Sequence, residues 1–427
     1  MSKSSTEIQG VPVGDIAEKY GTPFFVYDSQ VLADTFHGLD EVLPSGVDIL
    51  FSLKANPNIS VCSFLGRQGA GAEVSSAVEL MTALRAGIDP DDIIFLGPGK
   101  TEADLSACVA TGIHAVVCES LPEVRLLDEV AAAAGAGPVP VLLRVNPGFT
   151  SKGSGLSMGG KPRQFGMDED VVRAAGDELG ALRHIEVKGF HAYMGTRFLN
   201  HQDVVDNTAR ILAMAEHLAK DLGVPLRTVD FGGGLGVAYF ENESGIDIAG
   251  LGDGMRDPVA GFRDRHPECR VIMELGRFLT ADAGTYVTRA LYVKESMGET
   301  FVIADGGTNH HMAAVGIGSF VKRNFPIRNL DRPGAPPDGT YTVTGPLCTP
   351  NDTVVKKAKL PEVRPGDLLG IERSGAYGPT ASPGLFLSHG YPAEILVHRG
   401  RPLLVRERDT PEDLLAPQRL APLDETP

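Results

Sequence analysis

The sequence is poor in cysteine, short of positive charge and without a long apolar run. Its five cysteines, Cys62, Cys108, Cys118, Cys269 and Cys348, are an odd number, widely spaced, with no CxxC pair. That pattern fits neither a disulfide framework nor a zinc site, so a reducing cytoplasm and no bound metal are expected. Lysine and arginine number 39 against 55 acidic residues, a net charge of −16 spread along the chain. Such a balance disfavours nucleic acid as a partner and is repelled by an anionic membrane surface, so any anionic ligand must be held locally. The start, Met1-Ser-Lys-Ser-Ser-Thr-Glu7, is polar, and the uncharged stretch 374–393 is broken by Gly, Pro and His. Neither an export signal nor a membrane span is expected.

What is abundant is glycine, 51 of 427 residues, or about 12% against a usual value near 7%. The length suits two or three domains. Eight apolar runs, at 47–53, 72–75, 93–96, 115–118, 139–145, 187–193, 228–231 and 271–275, alternate with amphipathic or Ala-rich stretches such as 76–86, 102–111, 121–134 and 203–222. Eight strand-helix units predict a (β/α)₈ barrel. After Arg277 the texture changes to short β-rich runs at 285–293, 300–304, 340–344, 367–371 and 393–397, separated by Gly/Pro turns. This predicts a separate β domain, joined by a strand at Phe24-Phe-Val-Tyr27. The expected division is an N-terminal segment 1–35 that joins the β domain, a barrel over 36–280, the β domain over 281–408, and a loosely ordered Pro- and acid-rich tail over 409–427.

Chemistry in such a barrel collects at the C-terminal ends of strands. The first run ends in Phe51-Ser-Leu-Lys54, where a partly desolvated amine could form a Schiff base; a solvated loop lysine is the plainer reading. The sixth ends at His191, able to stack on a flat ring or move protons, although a lone histidine is more often structural. The seventh runs into Gly232-Gly-Gly234, where bare backbone N–H groups can approach an oxyanion. The eighth ends in Glu274-Leu-Gly276-Arg277, which offers a carboxylate, a flexible backbone point and a guanidinium to one ligand.

Taken together, Ser52-Leu-Lys-Ala-Asn56, Arg144-Val-Asn-Pro147, Phe165-Gly166, His191, Gly232-Gly-Gly234, Glu274-Leu-Gly-Arg277, Gly345-Pro-Leu-Cys348 and Gly375-Ala-Tyr377 make the chain similar to the fold-type III pyridoxal-phosphate decarboxylases, which include the diaminopimelate and ornithine decarboxylases. The resemblance runs from Gly21 to about Glu394. It implies an alanine-racemase-like barrel plus a β-barrel or β-sandwich domain, and pyridoxal 5'-phosphate held by Lys54 as a Schiff base. His191 would stack on the ring and Glu274 would pair with its nitrogen. Gly233, Gly234, Gly276, Arg277 and Tyr377 would bind the phosphate, and Arg144, Thr196, Arg323, Thr349 and Asp352 are the substrate-side candidates. Cys348 would come from the other subunit of a homodimer with shared active sites and return the proton after carbon dioxide leaves. A buried apolar thiol is its bland alternative.

The departures from the family pattern concern the substrate. Thr349 stands where diamino-acid members carry an acidic residue that meets the distal ammonium. Its loss removes a partner worth roughly 1.5–3 kcal/mol, and Asp352 remains as a polar contact. Gly195-Thr-Arg197, Gln164-Phe-Gly166, His310-His311 and 386–394 resemble a subgroup that decarboxylates a glutamyl group on an acyl carrier protein. Arg163, Arg197 or Arg323 could then meet an anionic substrate or carrier phosphopantetheine, or be ordinary surface arginines. The expected activity is α-decarboxylation of an amino acid or amino-acyl conjugate. Diaminopimelate decarboxylation is the alternative, with a racemase or a non-catalytic homologue as further rivals.

Overall fold

The computed structural model describes residues 6–315, 323–421 and 423. The chain divides into two units, Gln30–Ala283 and a second made of Met1–Ser29 with Gly284–Pro427. The division thus falls at residues 29 and 283 rather than at 35 and 280.

In the first unit eight parallel strands close a ring. They are Val47–Ser52, Gly71–Val74, Ile93–Phe95, Ala115–Cys118, Val139–Asn146, Ile185–His191, Thr228–Gly233 and Arg270–Leu275, and the last pairs with the first. This is the (β/α)₈ barrel that the eight apolar runs predict. Each run is buried on both faces because helices cover the outside, which is why the strands read as continuous apolar segments. Helix starts are marked by side-chain caps: Ser76 accepts from the Glu79 amide, Ser120 from the Glu123 amide, and Thr101 and Asp104 form a capping box. Between the seventh and eighth strands lies the helix Ile248–Arg265, which contains Pro258 and several glycines. Its low propensity is offset by buried Leu251, Met255, Val259 and Phe262.

The second unit is a sheet built around Gly284–Ser296, which pairs antiparallel with Phe24–Asp28, Glu299–Ala304 and Leu368–Ile371. Phe24–Asp28 is flanked on its other side by Ala393–His398, in parallel. Val13, Ile16, Phe24, Val26, Val287, Ile395 and Val397 form part of its core. The tail is not wholly loose: Pro411–Leu415 is a helix with a Thr410/Asp413 capping box, and Asp409 binds Arg406 and the Tyr391 amide. Among the described residues no helix is long and apolar enough to cross a membrane.

Candidate active site

Strand alternation sorts the barrel interior into layers. Leu50, Ile94, Leu96, Ala115, Val117, Leu142 and Ile272 form one apolar cluster. Two residues further along each strand the same face is polar: Ser52 follows Leu50, Glu119 follows Val117, Arg144 follows Leu142 and Glu274 follows Ile272. Register adds Glu73 opposite Ser52, and His191 opposite both Arg144 and Asp230. These seven polar side chains are all buried, above an apolar plug and at the strand ends where barrel sites form.

Lys54 sits on the 3₁₀ turn Leu53–Ala55 just past the first strand. Its Nζ lies 2.7 Å from Glu73 Oε2, while Ser75 Oγ donates to Glu73 Oε1 at 3.0 Å. Glu79 supports this corner by accepting from the Ser75 amide, and burial raises its carboxyl above the ordinary range.

Across the ring, ligand atoms of His191, Asp230 and Glu274 lie within 4.8 Å of one another. His191 Nε2 is 3.3 Å from Glu274 Oε1. Asp230 accepts from the Gly232 amide through Oδ1 at 2.8 Å. Apart from this His191–Glu274 contact, which lacks good hydrogen-bond geometry, both His191 nitrogens, Asp230 Oδ2 and Glu274 Oε1 are buried without a hydrogen bond, a costly state for polar atoms unless a ligand meets them. Burial, then the charge of Glu274, pushes the Asp230 carboxyl well up and keeps it protonated. For Glu274 burial acts upward too, but His191 and Lys54 outweigh it and hold the carboxyl down and ionised.

Beside this cluster the backbone is bare. Gly234 has φ +82°, and a Cβ there would run into the Gly195 carbonyl; at Gly276 it would fall 2.7 Å from Ala55 Cβ. Phe198 N donates to Gly234 O and Gly236 N to Phe198 O, which zips the Gly232–Gly236 loop to the segment carrying Thr196 and Arg197. Arg277 Nη1 donates to the Tyr239 hydroxyl at 3.0 Å, and the guanidiniums of Arg277 and Arg197 lie 5.5 and 5.8 Å from the Tyr239 ring centre. Arg197 holds a left-handed φ of 65°, unusual for a bulky residue, and contacts Glu243 at 3.4 Å. Arg163 is exposed, bonded only loosely to the Ser157 carbonyl at 3.3 Å.

The barrel thus brings together Lys54, Arg144, His191, Glu274 and, beside them, Thr196, Gly233, Gly234, Gly276 and Arg277. Cys348, Thr349, Asp352, Tyr377 and Arg323 belong to the other unit. There Cys348 is exposed, so the bland reading of it as a buried thiol does not hold. Tyr377 is half-buried with φ 54°, and Arg323 is exposed. Asp352 is not the polar substrate contact expected of it. It is 2% exposed, and its carboxylate accepts from the Thr308 amide at 2.7 Å, Thr308 Oγ1 at 2.9 Å and the Leu347 amide at 2.7 Å. The carboxylate therefore builds the turn that bears Cys348.

Residues 30–281 match the pyridoxal-dependent decarboxylase family, pyridoxal binding domain. The chain is 36% identical over 407 residues to an L-glutamyl-[BtrI acyl-carrier protein] decarboxylase of Niallia circulans, covering 94% of this chain and 95% of that one. It is 30% identical to a diaminopimelate decarboxylase of Helicobacter pylori, covering 94% and 96%. The crystal structure of a Helicobacter pylori diaminopimelate decarboxylase complexed with L-lysine superposes with a TM-score of 0.85 at 28% identity, over 95% of this chain and 98% of that one. The chain belongs to the pyridoxal-dependent decarboxylase family of fold type III, and it is a pyridoxal-phosphate-dependent carboxy-lyase. The orphaned buried atoms of His191 and Glu274, the bare Gly234 and Gly276 backbone and the Arg277 guanidinium fit a flat cationic heterocycle carrying a phosphate.

Glu73, Glu119 and Asp230 also belong to this layer, and the sequence marks each as an acidic residue inside or directly after an apolar run.

Proposed function

We propose that this decarboxylase removes the α-carboxyl of a glutamyl group presented by an acyl carrier protein. One observation carries the reading. Thr349 replaces the acid expected to meet a distal ammonium, and Asp352, the remaining acid of the turn, has its carboxylate consumed by Thr308 and Leu347. A substrate whose far end is a neutral thioester needs no such acid, and the 36% identical relative bears that activity in its name.

Pyridoxal phosphate, when bound, supplies the electron sink for the bond that carbon dioxide leaves. Lys54, released from Glu73, is the amine proposed to carry the cofactor. Ionised Glu274 would keep the ring nitrogen protonated, His191 would lie on the ring face, and Gly233, Gly234, Gly276 and Arg277 would hold the phosphate, with Tyr377 as a further donor. Arg144 would orient the bound group from the barrel wall and Thr196 would line the substrate side. The exposed Cys348 thiol is proposed to serve the barrel of a second copy, donating the proton that replaces the carboxylate. Arg197 and Arg323 are offered to the anionic carrier. Four buried free cysteines support residence in a reducing cytoplasm.

The test is carbon dioxide release from carrier-linked glutamyl thioester beside free glutamate, diaminopimelate and ornithine. The thioester is expected to give a kcat/KM at least about tenfold above any free amino acid, the scale of one lost charge-assisted contact. Preference for diaminopimelate would overturn the reading and restore the alternative.

A further inference from the structure

Glu119 has no part in the function just described, yet it is the most connected carboxylate of the polar layer. It stands one residue past the fourth strand and is 5% exposed, as is Arg144. Its Oε1 accepts from Arg144 Nη1 at 2.8 Å and from the Gly97 amide at 3.1 Å. Its Oε2 accepts from the Gly166 amide at 3.1 Å. Three separate pieces of the barrel rim, after the third strand, on the fifth strand and in the Phe165-Gly166 turn, therefore meet on one side chain.

The backbone that carries this carboxylate is itself held. The Glu119 amide donates to Glu123 Oε2 at 2.8 Å, and Glu123 Oε1 receives buried Lys100 Nζ at 2.6 Å. Lys100 in turn binds the carbonyls of Gly97 and Val117. The Arg144 guanidinium also lies over the Phe165 ring, 4.8 Å from its centre. A long, flexible cation in a buried site thus has its position set by two groups, by Glu119 directly and by Phe165 through the Gly166 amide that Glu119 also holds.

We propose that Glu119 is a positioning residue for the decarboxylation, acting through Arg144 and the Phe165-Gly166 turn and touching neither cofactor nor substrate. The inference rests on the reading of Arg144 as part of the site. Loss of one carboxylate acceptor would leave Arg144 free to take other rotamers and release one of the two glycine amides.

The experiment compares holoenzyme of wild type, Glu119→Gln, Arg144→Met and the double variant in kcat and KM, with amide hydrogen exchange on the same four proteins without cofactor. Glu119→Gln is expected to lower kcat/KM by about tenfold and to speed exchange at Gly97 or Gly166. The double variant should be no slower than Arg144→Met alone, because Glu119 has nothing left to position. If Arg144→Met is impaired and Glu119→Gln multiplies that loss in full, or is itself as active as wild type, the positioning role is overturned while the site reading stands. Wild-type turnover by Arg144→Met would overturn the reading of Arg144, and the proposal with it. Should Glu119→Gln fail to fold, Phe165→Leu tests the second support, with the same non-additivity against Arg144→Met expected; full additivity there refutes the proposal.

Discussion

Asp230 and Glu274 are two carboxylates in one buried cluster, and their surroundings drive them apart. Asp230 has burial and the neighbouring Glu274 charge against ionisation, with only the Gly232 amide favouring it, so it keeps its proton; Glu274 faces His191 and Lys54 and stays ionised. An amide mimics a protonated carboxyl and not a carboxylate. Asp230→Asn should therefore retain activity within a few-fold, since Oδ1 can still accept from Gly232, whereas Glu274→Gln should lose at least about a hundredfold in kcat, roughly 2.7 kcal/mol of transition-state stabilisation. Steady-state kinetics on cofactor-saturated protein decides it, and equal losses would refute the assignment of protonation states. Lys54, His191, Glu274 and Arg277 were legible in the sequence because each closes an apolar run. Glu119 and Asp230 are less legible, because inwardness depends on which of two strand faces meets the barrel axis, and runs buried on both faces conceal it.

At the level of elements, all eight barrel strands lie where the apolar runs put them, and the helix Glu102–Thr111 matches its amphipathic stretch end to end. Less legible were Thr353–Leu360, whose alternation is masked by three lysines, and Arg401–Arg406, an edge strand largely open to solvent. Loops carry a different signature, namely imidazoles buried in neutral form. His114, before the fourth strand, bonds Thr228 Oγ1 at 3.0 Å, and burial brings it down to about 4. In the 306–311 loop His310 bonds Tyr286 and the Gly390 carbonyl and is lowered by burial to about 4, and His311 bonds Ser374 and is lowered to about 3. Below an ordinary pKa near 6.5 the unfolded chain takes up protons that these folded imidazoles refuse. Their contribution is complete above about pH 6.5 and is lost as pH falls toward 4, at up to one proton, about 1.36 kcal/mol per pH unit, for each. Urea unfolding at pH 7, 6 and 5 should show stability dropping monotonically; a flat profile would refute it.

For the molecule as a whole, a site that draws Lys54 and Cys348 from different copies, as proposed above, can be restored by mixing two inactive proteins. Lys54→Ala and Cys348→Ala proteins, each inactive, should recover activity when unfolded together, refolded and mixed. Random pairing makes about half the dimers mixed, each with one intact site, so about a quarter of wild-type activity is expected. Recovery of none would place both residues in one subunit's site or remove Cys348 from the chemistry.

The strand Phe24–Asp28 lies between Gly284–Ser296 and Ala393–His398. As the chain leaves the ribosome, this early strand has no neighbour until some 260 residues later, about 10–50 s at ordinary elongation rates, and its second neighbour follows later still, at Ala393–His398. The barrel, whose strands all lie between these dates, can close first. Until Ala393–His398 has been made, one edge of the apolar strand Phe24–Asp28 stays unpaired, the kind of edge that invites association.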